Sequence, residues 1–206
     1  MTTGQFITFE GIDGSGKSTQ ARRLADALGS TGQKVCLTRE PGGSQGAELI
    51  RRLLVEGDPD RWSGETETLL FAAARRDHLE RTIRPALQRG ETVISDRFAD
   101  STRVYQGVAR GELRHLVDQI HDLAIGVEPD LALIIDVDPT IALKRGLARG
   151  SGEDRFEDIG LEFQIRLREG FLSLAQDFSD RCVVIDGDRS ADEIAADVLD
   201  VVQTKL

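Results

Sequence analysis

The feature that most constrains the fold is a short stretch near the N-terminus with the sequence GIDGSGKS. It satisfies the pattern GxxxxGK[ST], follows the apolar run QFITFE and opens a helical pattern, which is the strand–loop–helix context in which this motif binds phosphate. In such a loop, backbone N–H groups surround a phosphate, the lysine reaches the outer phosphates and the last hydroxyl can ligate Mg²⁺. We therefore expect a nucleoside triphosphate to be bound by Gly11, Ile12, Asp13, Gly14, Ser15, Gly16, Lys17, Ser18 and Thr19.

Short apolar runs recur along the chain, with helical patterns between them. The runs QFITFE, QKVCLT, ETVISD, LALIIDV and RCVVID start near residues 5, 33, 91, 131 and 181. Helical periodicity is seen at about 17–29, 44–56, 65–89, 111–124, 139–148, 160–178 and 190–204. The alternation predicts an α/β fold with a five-stranded parallel sheet flanked by helices, in one domain over residues 1–206. The glycine-bearing segment at 149–158 is expected to be a connection or a lid.

Composition narrows the partners and the location. The net charge of −10 and the pI near 4.8 disfavour nucleic acid as a partner, because polyanions bind concentrated Lys and Arg. No apolar stretch approaches the roughly 18 residues of a membrane span, and no charged-then-apolar leader is present, so we expect a cytoplasmic protein without membrane contact. Cys36 and Cys182 each lie in an apolar run, which indicates buried, reduced strand thiols.

A triphosphate-binding loop leaves three classes of protein open: a GTPase switch, an ATPase and a kinase for a small acceptor. A guanine-specific switch typically reads its base with an Asn-Lys-x-Asp loop, and this chain contains no asparagine. An ATPase usually places a Mg²⁺-binding acid at the end of an apolar strand, where LIIDVD offers Asp136 and Asp138. We favour Asp136 as the cap of the helix that begins at Pro139.

The better partner for Mg²⁺ is Asp96 in VISDRF, together with Ser18 of the loop. Asp96 ends a predicted strand, and ligands gather at the carboxyl ends of strands in open α/β sheets. Arg97 follows directly, so the acid and the arginine could hold a metal on one side and a phosphate on the other. An ion pair within this turn is the alternative.

Several segments together resemble the bacterial thymidylate kinases. They are EGIDGSGKSTQ, TREPGGSQGAELIRRLL, LLFAAARRDHL, VISDRFADSTRVYQG, RGLARGSGEDRFE and VIDGDRS, in that family's order and approximate spacing. The resemblance implies a P-loop nucleoside monophosphate kinase fold with a mobile lid. It also implies transfer of the γ-phosphoryl group of ATP to dTMP with Mg²⁺, as a step of dTTP synthesis, and a homodimer.

The resemblance implies a contact for each part of dTMP. The phosphate is expected at Arg39, Arg51 and Arg97, because a doubly charged anion needs several converging arginines. Thymine is expected to stack on Phe71 and to accept a hydrogen bond from Arg75. The family's remaining acceptor positions are Ser101 and Thr102 at the other polar edge of the base, Tyr105 against the 2′ position of the sugar, Gln106 in the pocket lining, and Asp13 near the 3′-hydroxyl and the metal.

The resemblance also implies where further positive charge comes from. Some members carry a basic residue directly after the loop acid. This chain has Gly14 at that position and so resembles the members whose lid supplies arginines. In a lid at about 145–158 the candidates are Arg145, Arg149 and Arg155. The residues expected to be catalytic are Lys17, Asp13, Arg97, Arg149 and Arg155. Related lids often read Arg-x-Arg-x-Arg, and Leu147 breaks that pattern here, so which arginine reaches the γ-phosphate and which stacks on adenine stays open.

Rival functions and two local features also stay open. A kinase for another nucleoside monophosphate or for a deoxynucleoside shares the scaffold, and an ATPase switch shares the loop. The sequence does not determine the isomer of the Glu40–Pro41 bond. We expect His78, His115 and His121 to be surface or structural residues, because phosphoryl transfer depends chiefly on positioning and charge.

Overall fold

The computed structural model describes residues 4–58, 61–109, 113–147 and 160–206. Five parallel strands form one sheet in the order β2-β3-β1-β4-β5. Its strands are β1 (Phe6–Glu10), β2 (Val35–Arg39), β3 (Thr92–Asp96), β4 (Leu131–Asp136) and β5 (Cys182–Asp186). The prediction of a five-stranded parallel sheet with flanking helices is confirmed.

Helices connect the strands. They are α1 (Lys17–Ser30), α2 (Gln45–Val55), α3 (Gly64–His78), α4 (Arg84–Gln88), α5 (Ala99–Val104), α6 (Arg114–Ala124), α7 (Pro139–Leu147), α8 (Leu161–Asp177) and α9 (Ala191–Lys205). A π-helical turn, Leu79–Ile83, joins α3 to α4, so the helix predicted at 65–89 is continuous but locally widened, with Pro85 in the first turn of α4. In the described part of the chain, no helix combines the length and apolar character needed to cross a membrane.

The helix α5, with the π-helical turn Tyr105–Ala109 that extends it, was absent from the prediction. Its sequence ADSTRV is rich in residues with modest helix propensity. All six residues are nevertheless buried, because α5 packs against α6 and α8. Tertiary packing therefore stabilises a helix that local propensity does not predict, and this helix carries several candidate site residues.

The topology determines where a ligand can bind. The central strand β1 is buried along its whole length, with β3 on one side and β4 on the other. The strand order reverses at β1, and the crevice at the carboxyl ends of the strands beside such a switch point is the usual ligand site in open α/β sheets. Phe9 of β1 and Arg39 of β2 are both in register with Asp96. The loops that follow β1, β2 and β3 therefore meet at one edge of the sheet.

The two cysteines are free, as the sequence predicts. Cys182 in β5 is buried, whereas Cys36 in β2 is only half-buried. Burial raises the pKa of the Cys182 thiol to about 12, with the charge of Asp100 acting in the same direction. Neither thiol lies at the carboxyl edge of the sheet where the loops meet.

Candidate active site

The phosphate-binding loop joins β1 to α1 and presents its backbone to a ligand. Gly16 precedes α1 without a side-chain cap, so the first N–H groups of the helix have no side-chain acceptor. Such N–H groups attract anions, and the helix dipole adds to the attraction. The buried hydroxyl of Ser15 also lacks a hydrogen-bond partner in the described ranges. The loop can therefore bind phosphate oxygens from several directions.

Lys17 is the cation of this loop. Its side chain is buried, and Nζ donates to the carbonyl oxygen of Ile12 at 2.7 Å. Burial and, after it, the nearby charge of Arg97 lower the pKa of Lys17 to about 8, while Asp13 and Asp96 oppose the shift. The ammonium group is thus held on a neutral carbonyl rather than on a carboxylate, which leaves its charge available to phosphates.

The two predicted metal ligands contact each other. The hydroxyl of Ser18 donates to the Oδ2 atom of Asp96 across the gap between α1 and β3. Within the described residues, no group of three or more His, Cys, Asp or Glu side chains is placed to hold a metal ion. A hydroxyl and one carboxylate suit Mg²⁺, which prefers oxygen ligands and usually completes its shell with water and substrate phosphates.

Asp13, Arg97 and Tyr105 form a closed cluster at the end of the loop. Arg97 donates from Nη2 to Asp13 at 2.5 Å and to the Tyr105 hydroxyl at 3.1 Å, and that hydroxyl donates to Asp13 at 2.8 Å. Arg97 also donates from Nη1 to Ser101 at 2.9 Å. Burial alone would raise the pKa of Asp13, but Arg97, Lys17 and Tyr105 outweigh it and lower the pKa to about 2. Asp13 is therefore ionised at neutral pH and accepts hydrogen bonds.

The backbone of Arg97 is left-handed, with φ of 72°, which is uncommon outside glycine. Its N–H donates to the carbonyl oxygen of Phe9 at 2.9 Å, and its carbonyl accepts from the Ser95 hydroxyl at 2.7 Å. Glu10 holds the next residues, because its carboxyl accepts from the Phe98 N–H at 2.8 Å and from Ser101 at 2.6 Å. These contacts fix a strained turn that aims the guanidinium group.

Sequence reasoning missed Glu10 and Ser95. Glu10 is fully buried, and burial raises its pKa to about 7, with the charge of Asp100 acting in the same direction. The available signal was an acid at the end of the mostly apolar strand FITFE, because a charged residue in a buried strand needs partners. Ser95 gave no comparable signal.

Arg75 is buried in α3 and is held at three points. Nε donates to Glu40 at 2.7 Å, while Nη2 donates to the Phe98 carbonyl at 3.0 Å and to the Thr102 hydroxyl at 3.0 Å. Glu40 was also missed as a site residue, since the sequence singled it out only for its bond to Pro41. That peptide bond is cis.

A cavity opens beside the phosphate-binding loop and contains most of the predicted acceptor residues. Its lining comprises Asp13, Glu40, Pro41, Arg51, Val55, Phe71, Arg75, Arg97, Phe98, Ser101, Thr102, Tyr105 and Gln106. We call it the acceptor cavity. Arg51 reaches its wall from α2 and donates to the carbonyl of Pro41 at 2.5 Å. Gln106 is buried and donates to Glu67 at 3.3 Å.

Arg39 is the predicted acceptor residue that the structure does not bring to this cavity. Its side chain is 55% exposed and its guanidinium pairs with Glu48 at 3.1 Å. It lies on a neighbouring surface depression that Ser18 and Asp96 also line. Arg39 therefore stands on the metal-candidate side of β3 rather than beside Arg51 and Arg97.

Gly14 lies too close to α7 to carry a side chain. Its φ is +83°, and a Cβ atom there would lie 2.0 Å from the carbonyl oxygen of Ala142. A basic residue at this position is incompatible with the present packing. Arg145 is exposed near the end of α7. Arg149 and Arg155 lie outside the described residues, as does most of the predicted lid.

The acid predicted to cap α7 was misassigned. Asp136 forms a bidentate pair with Arg168 of α8, at 2.6 and 2.8 Å. The cap is Asp138, which accepts from the Thr140 N–H at 2.8 Å. Asp136 lies at the end of β4, two residues before Asp138, and its carboxylate is already engaged by Arg168.

The histidines occupy different environments. His78 in α3 and His121 in α6 are buried, and His121 pairs with Glu128 at 3.1 Å. His115 is exposed. None of the three lines the acceptor cavity.

Comparisons with known proteins agree on one family. A family model for thymidylate kinase matches residues 9–198. A thymidylate kinase from Dinoroseobacter shibae is 71% identical over 196 residues, 95% of this chain and 95% of that protein. One from Ruegeria pomeroyi is 64% identical over 204 residues, 99% of this chain and 97% of that protein. A crystal structure of thymidylate kinase from Ehrlichia chaffeensis matches with a TM-score of 0.80 and 38% identity, over 98% of this chain and 100% of that one.

Proposed function

The chain belongs to the thymidylate kinase family, and on that premise we propose which of its residues act on ATP and on dTMP. The reaction transfers the γ-phosphoryl group of ATP to dTMP and gives ADP and dTDP. The observation that supports the assignment best is the acceptor cavity, whose lining includes Asp13 of the phosphate-binding loop. A molecule in this cavity would be adjacent to a triphosphate on the loop.

The dTMP phosphate lies at the end of the cavity where Arg97 and Arg51 converge. Both arginines line it, and both are oriented by protein acceptors before any substrate binds. Arginine presents a planar fork that can pair with two phosphate oxygens at once. Arg39 stays a prediction for this role, since its exposure and its pair with Glu48 point to a smaller one.

The thymine base lies at the other end, between Phe71 and Arg75. Phe71 precedes Arg75 by four residues in α3, so the two side chains share one face of the helix. Thr102 adds a hydroxyl at the polar edge. Tyr105 forms a rigid wall for the sugar, because its hydroxyl is bound to both Asp13 and Arg97. A ribose 2′-hydroxyl would meet this wall.

Catalysis in this arrangement relies on charge and alignment. A phosphate monoester has its second pKa near 6, so the attacking oxygen of dTMP is already anionic at neutral pH and needs no general base. Lys17 and the backbone N–H groups of the loop stabilise the charge on the transferred group, and Arg97 holds the acceptor in line. Asp13 stays ionised and fixes Arg97 and Tyr105. Because the dTMP oxygen attacks the phosphoryl group directly, no covalent enzyme intermediate is required.

Mg²⁺ fits the paired oxygens of Ser18 and Asp96, as the donor set described above indicates. When bound, Mg²⁺ would neutralise charge on the β- and γ-phosphate oxygens. Arg149 and Arg155 supply the further cations in this proposal. Gly14 supports this view, because the contact with Ala142 leaves no space for a cation within the loop.

The proposal includes a homodimer. Leu49 and Leu53 of α2 and Leu69 of α3 are exposed on two helices that pack together, and they offer an apolar contact surface. Light scattering of the wild type should give a dimer mass, and Leu49→Glu with Leu53→Glu should give a monomer. Ile165→Glu, at an exposed position of α8, is the control that keeps the wild-type mass. A monomeric wild type at micromolar concentration contradicts the proposal.

A coupled assay of ADP release tests the function directly. It compares dTMP, dUMP, UMP, GMP, AMP, thymidine and no acceptor, with Lys17→Ala as the control for contaminating activity. Strong preference for dTMP over UMP supports the assignment. Turnover without an acceptor would favour an ATPase switch, and preference for another acceptor would favour a different kinase.

A further inference from the structure

A line of hydrogen bonds runs behind the acceptor cavity from the end of β2 to Arg75. Thr38 contacts His78 through Oγ1 and Nε2 at 2.7 Å, and His78 contacts Glu40 through Nδ1 and Oε1 at 3.0 Å. The other oxygen of Glu40 accepts from Arg75 Nε at 2.7 Å. The side chains of His78, Glu40 and Arg75 are 0%, 4% and 5% exposed. Losing a contact among these three side chains would therefore leave a buried polar group without a partner, which is costly, whereas Thr38 is only half-buried.

The chemistry of the groups fixes the direction of the line. An ionised carboxylate only accepts, so the Nδ1–H group of His78 donates to Glu40. In the neutral imidazole Nε2 is then the acceptor, and the Thr38 hydroxyl donates to it. Each member orients the next, and Glu40 is held on both oxygens, by His78 and by Arg75.

The second glycine of the segment REPGG, Gly43, leaves space for the contact between Thr38 and His78. A Cβ atom on Gly43 would lie 2.4 Å from Nε2 of His78 and 2.5 Å from Oγ1 of Thr38, too close to both partners of this contact. The φ of Gly43 is +83°, which also favours glycine. The chain thus leaves open the space that the contact between Thr38 and His78 requires.

The line determines what Arg75 can offer to a ligand. Nε is used by Glu40, and Nη2 is used by Phe98 and Thr102. In the described ranges no acceptor is found for Nη1, while Arg75 lines the acceptor cavity. Nη1 carries two N–H donors and no acceptor, so it suits a ring carbonyl at position 4 of a pyrimidine and opposes an amino group there.

We propose that His78, with Thr38, is a positioning residue for base selection: it holds Glu40, which in turn fixes Arg75 so that the enzyme accepts a 4-carbonyl pyrimidine and rejects a 4-amino one. The inference rests on the proposed function, because it needs Arg75 to face the base of dTMP. It assigns a specificity role to a buried histidine that touches no substrate.

The test compares kcat and KM for dTMP and for dCMP in the wild type and in His78→Leu. In the proposed function Arg75 contacts the base rather than the transferred phosphoryl group, in ground and transition states alike, so its loosening should act on KM. We expect the KM for dTMP to rise about tenfold, kcat at saturation to stay within about threefold, and the preference for dTMP over dCMP to fall about tenfold. Partial unfolding would instead lower kcat and leave KM and preference unchanged.

Two further comparisons separate positioning from packing. In His78→Asn the amide nitrogen lies the same number of bonds from Cα as Nδ1, so it can donate to Glu40, and the wild-type preference should return to within about threefold. Thr38→Val removes the hydroxyl that orients His78. Thr8→Val is its matched control, because the buried hydroxyl of Thr8 has no partner in the described ranges. Thr38→Val should raise the KM for dTMP about threefold, and Thr8→Val should leave it unchanged.

The outcomes are distinguishable. A folded His78→Leu that keeps the preference for dTMP over dCMP within twofold of wild type overturns the inference. If His78→Leu does not fold, equal KM values for Thr38→Val and Thr8→Val overturn it. Wild-type enzyme without dTMP-dependent turnover would instead overturn the proposed function itself.

Discussion

The acceptor cavity and the phosphate-binding loop adjoin at Asp13, but they differ in how most of their positive charge is held: two of the three cavity arginines pair with carboxylates, and the loop lysine does not. In the cavity each arginine is bound by a protein acceptor: Arg97 by Asp13 and Arg75 by Glu40, both carboxylates, and Arg51 by the Pro41 carbonyl. In the loop the cation, Lys17, rests on the neutral carbonyl of Ile12. The cavity is therefore preorganised before substrate binds. In the loop the charge of Lys17 is not neutralised by a carboxylate, but Lys17 is the one cation of the loop.

This difference implies a division of labour. Preorganised arginines orient the acceptor at little reorganisation cost, which suits the selection of one small molecule. A triphosphate carries more charge than one lysine can neutralise, and Gly14 has no space for a second cation. The ATP-binding loop consequently depends on positive charge from elsewhere in the chain.

The largest expected effect comes from removing the arginines that supply this additional charge. Arg149→Ala and Arg155→Ala should both lower kcat, one of them by roughly 10³ or more, because a lost arginine at the γ-phosphate removes transition-state stabilisation. Steady-state kinetics with saturating ATP and dTMP measure the effect. Arg166→Ala, on an exposed position of α8, is the control for a general loss of surface charge. Turnover within threefold of wild type for both lid variants would contradict the proposal that the lid arginines supply this charge.

The next effect tests preorganisation in the cavity. Arg97→Lys keeps the charge but loses the planar fork and its bonds to Asp13, Ser101 and Tyr105, so kcat/KM for dTMP should fall by about 10². Arg23→Lys, in α1 beside Asp192 of α9 and outside the acceptor cavity, is the matched control. Retention of full activity by Arg97→Lys would show that charge alone, without the fork, is sufficient.

A third prediction concerns Arg51 of α2 and Arg39, the last residue of β2. Arg51→Ala should reduce kcat/KM for dTMP more than Arg39→Ala does, because Arg51 lines the cavity and Arg39 pairs with Glu48 at the surface. The reverse order would indicate that Arg39 turns toward the acceptor when substrate binds.

The two regions also differ in how far the sequence predicts them. The loop is contiguous, so a fixed spacing with a strand before it and a helix after it is enough. The cavity assembles residues from six elements and loops, and only the resemblance to a family joined them. Glu40 was missed because its partner Arg75 lies 35 residues away, and no local pattern marks such a pair.

The errors have the same physical origin. Asp136 was expected to cap α7 because acids favour that position, but Arg168 of α8 engages it and Asp138 caps instead. The helix α5 was overlooked because its stability comes from burial rather than from propensity. The sheet type was predictable, since alternation of apolar runs with amphipathic helices favours a parallel sheet covered by helices. The strand order was not predicted and comes from the structure.

A smaller effect tests the close approach of the loop to α7. Gly14→Ala combines a left-handed backbone with a clash against Ala142, so it should lower the free energy of unfolding by about 2–4 kcal/mol. Gly32→Ala is the matched control, because Gly32 has φ of +86° but no atom within 4 Å of the added Cβ. Chemical denaturation of both variants measures the difference. Equal losses would mean that α7 yields freely and that a side chain at Gly14 is sterically tolerable.

The smallest expected effect distinguishes the Lys17 ammonium from the arginines of the cavity. Burial lowers the pKa of free Lys17 to about 8, whereas bound phosphates favour its charged form. Below pH 8 the group is already protonated and ATP affinity should be flat. Above pH 8 binding must take up a proton, so affinity should fall about tenfold per pH unit.

Calorimetry of ATP binding between pH 7 and 9.5, in buffers of different ionisation enthalpy, measures both affinity and proton uptake. Lys17→Arg is the matched variant, because a guanidinium stays charged over this range and should abolish the uptake. Tyr105 does not interfere, since burial raises its pKa well above the usual value. Wild-type affinity that stays constant to pH 9.5 would mean that Lys17 keeps its proton on the Ile12 carbonyl, and the loop would then hold its charge as firmly as the cavity does.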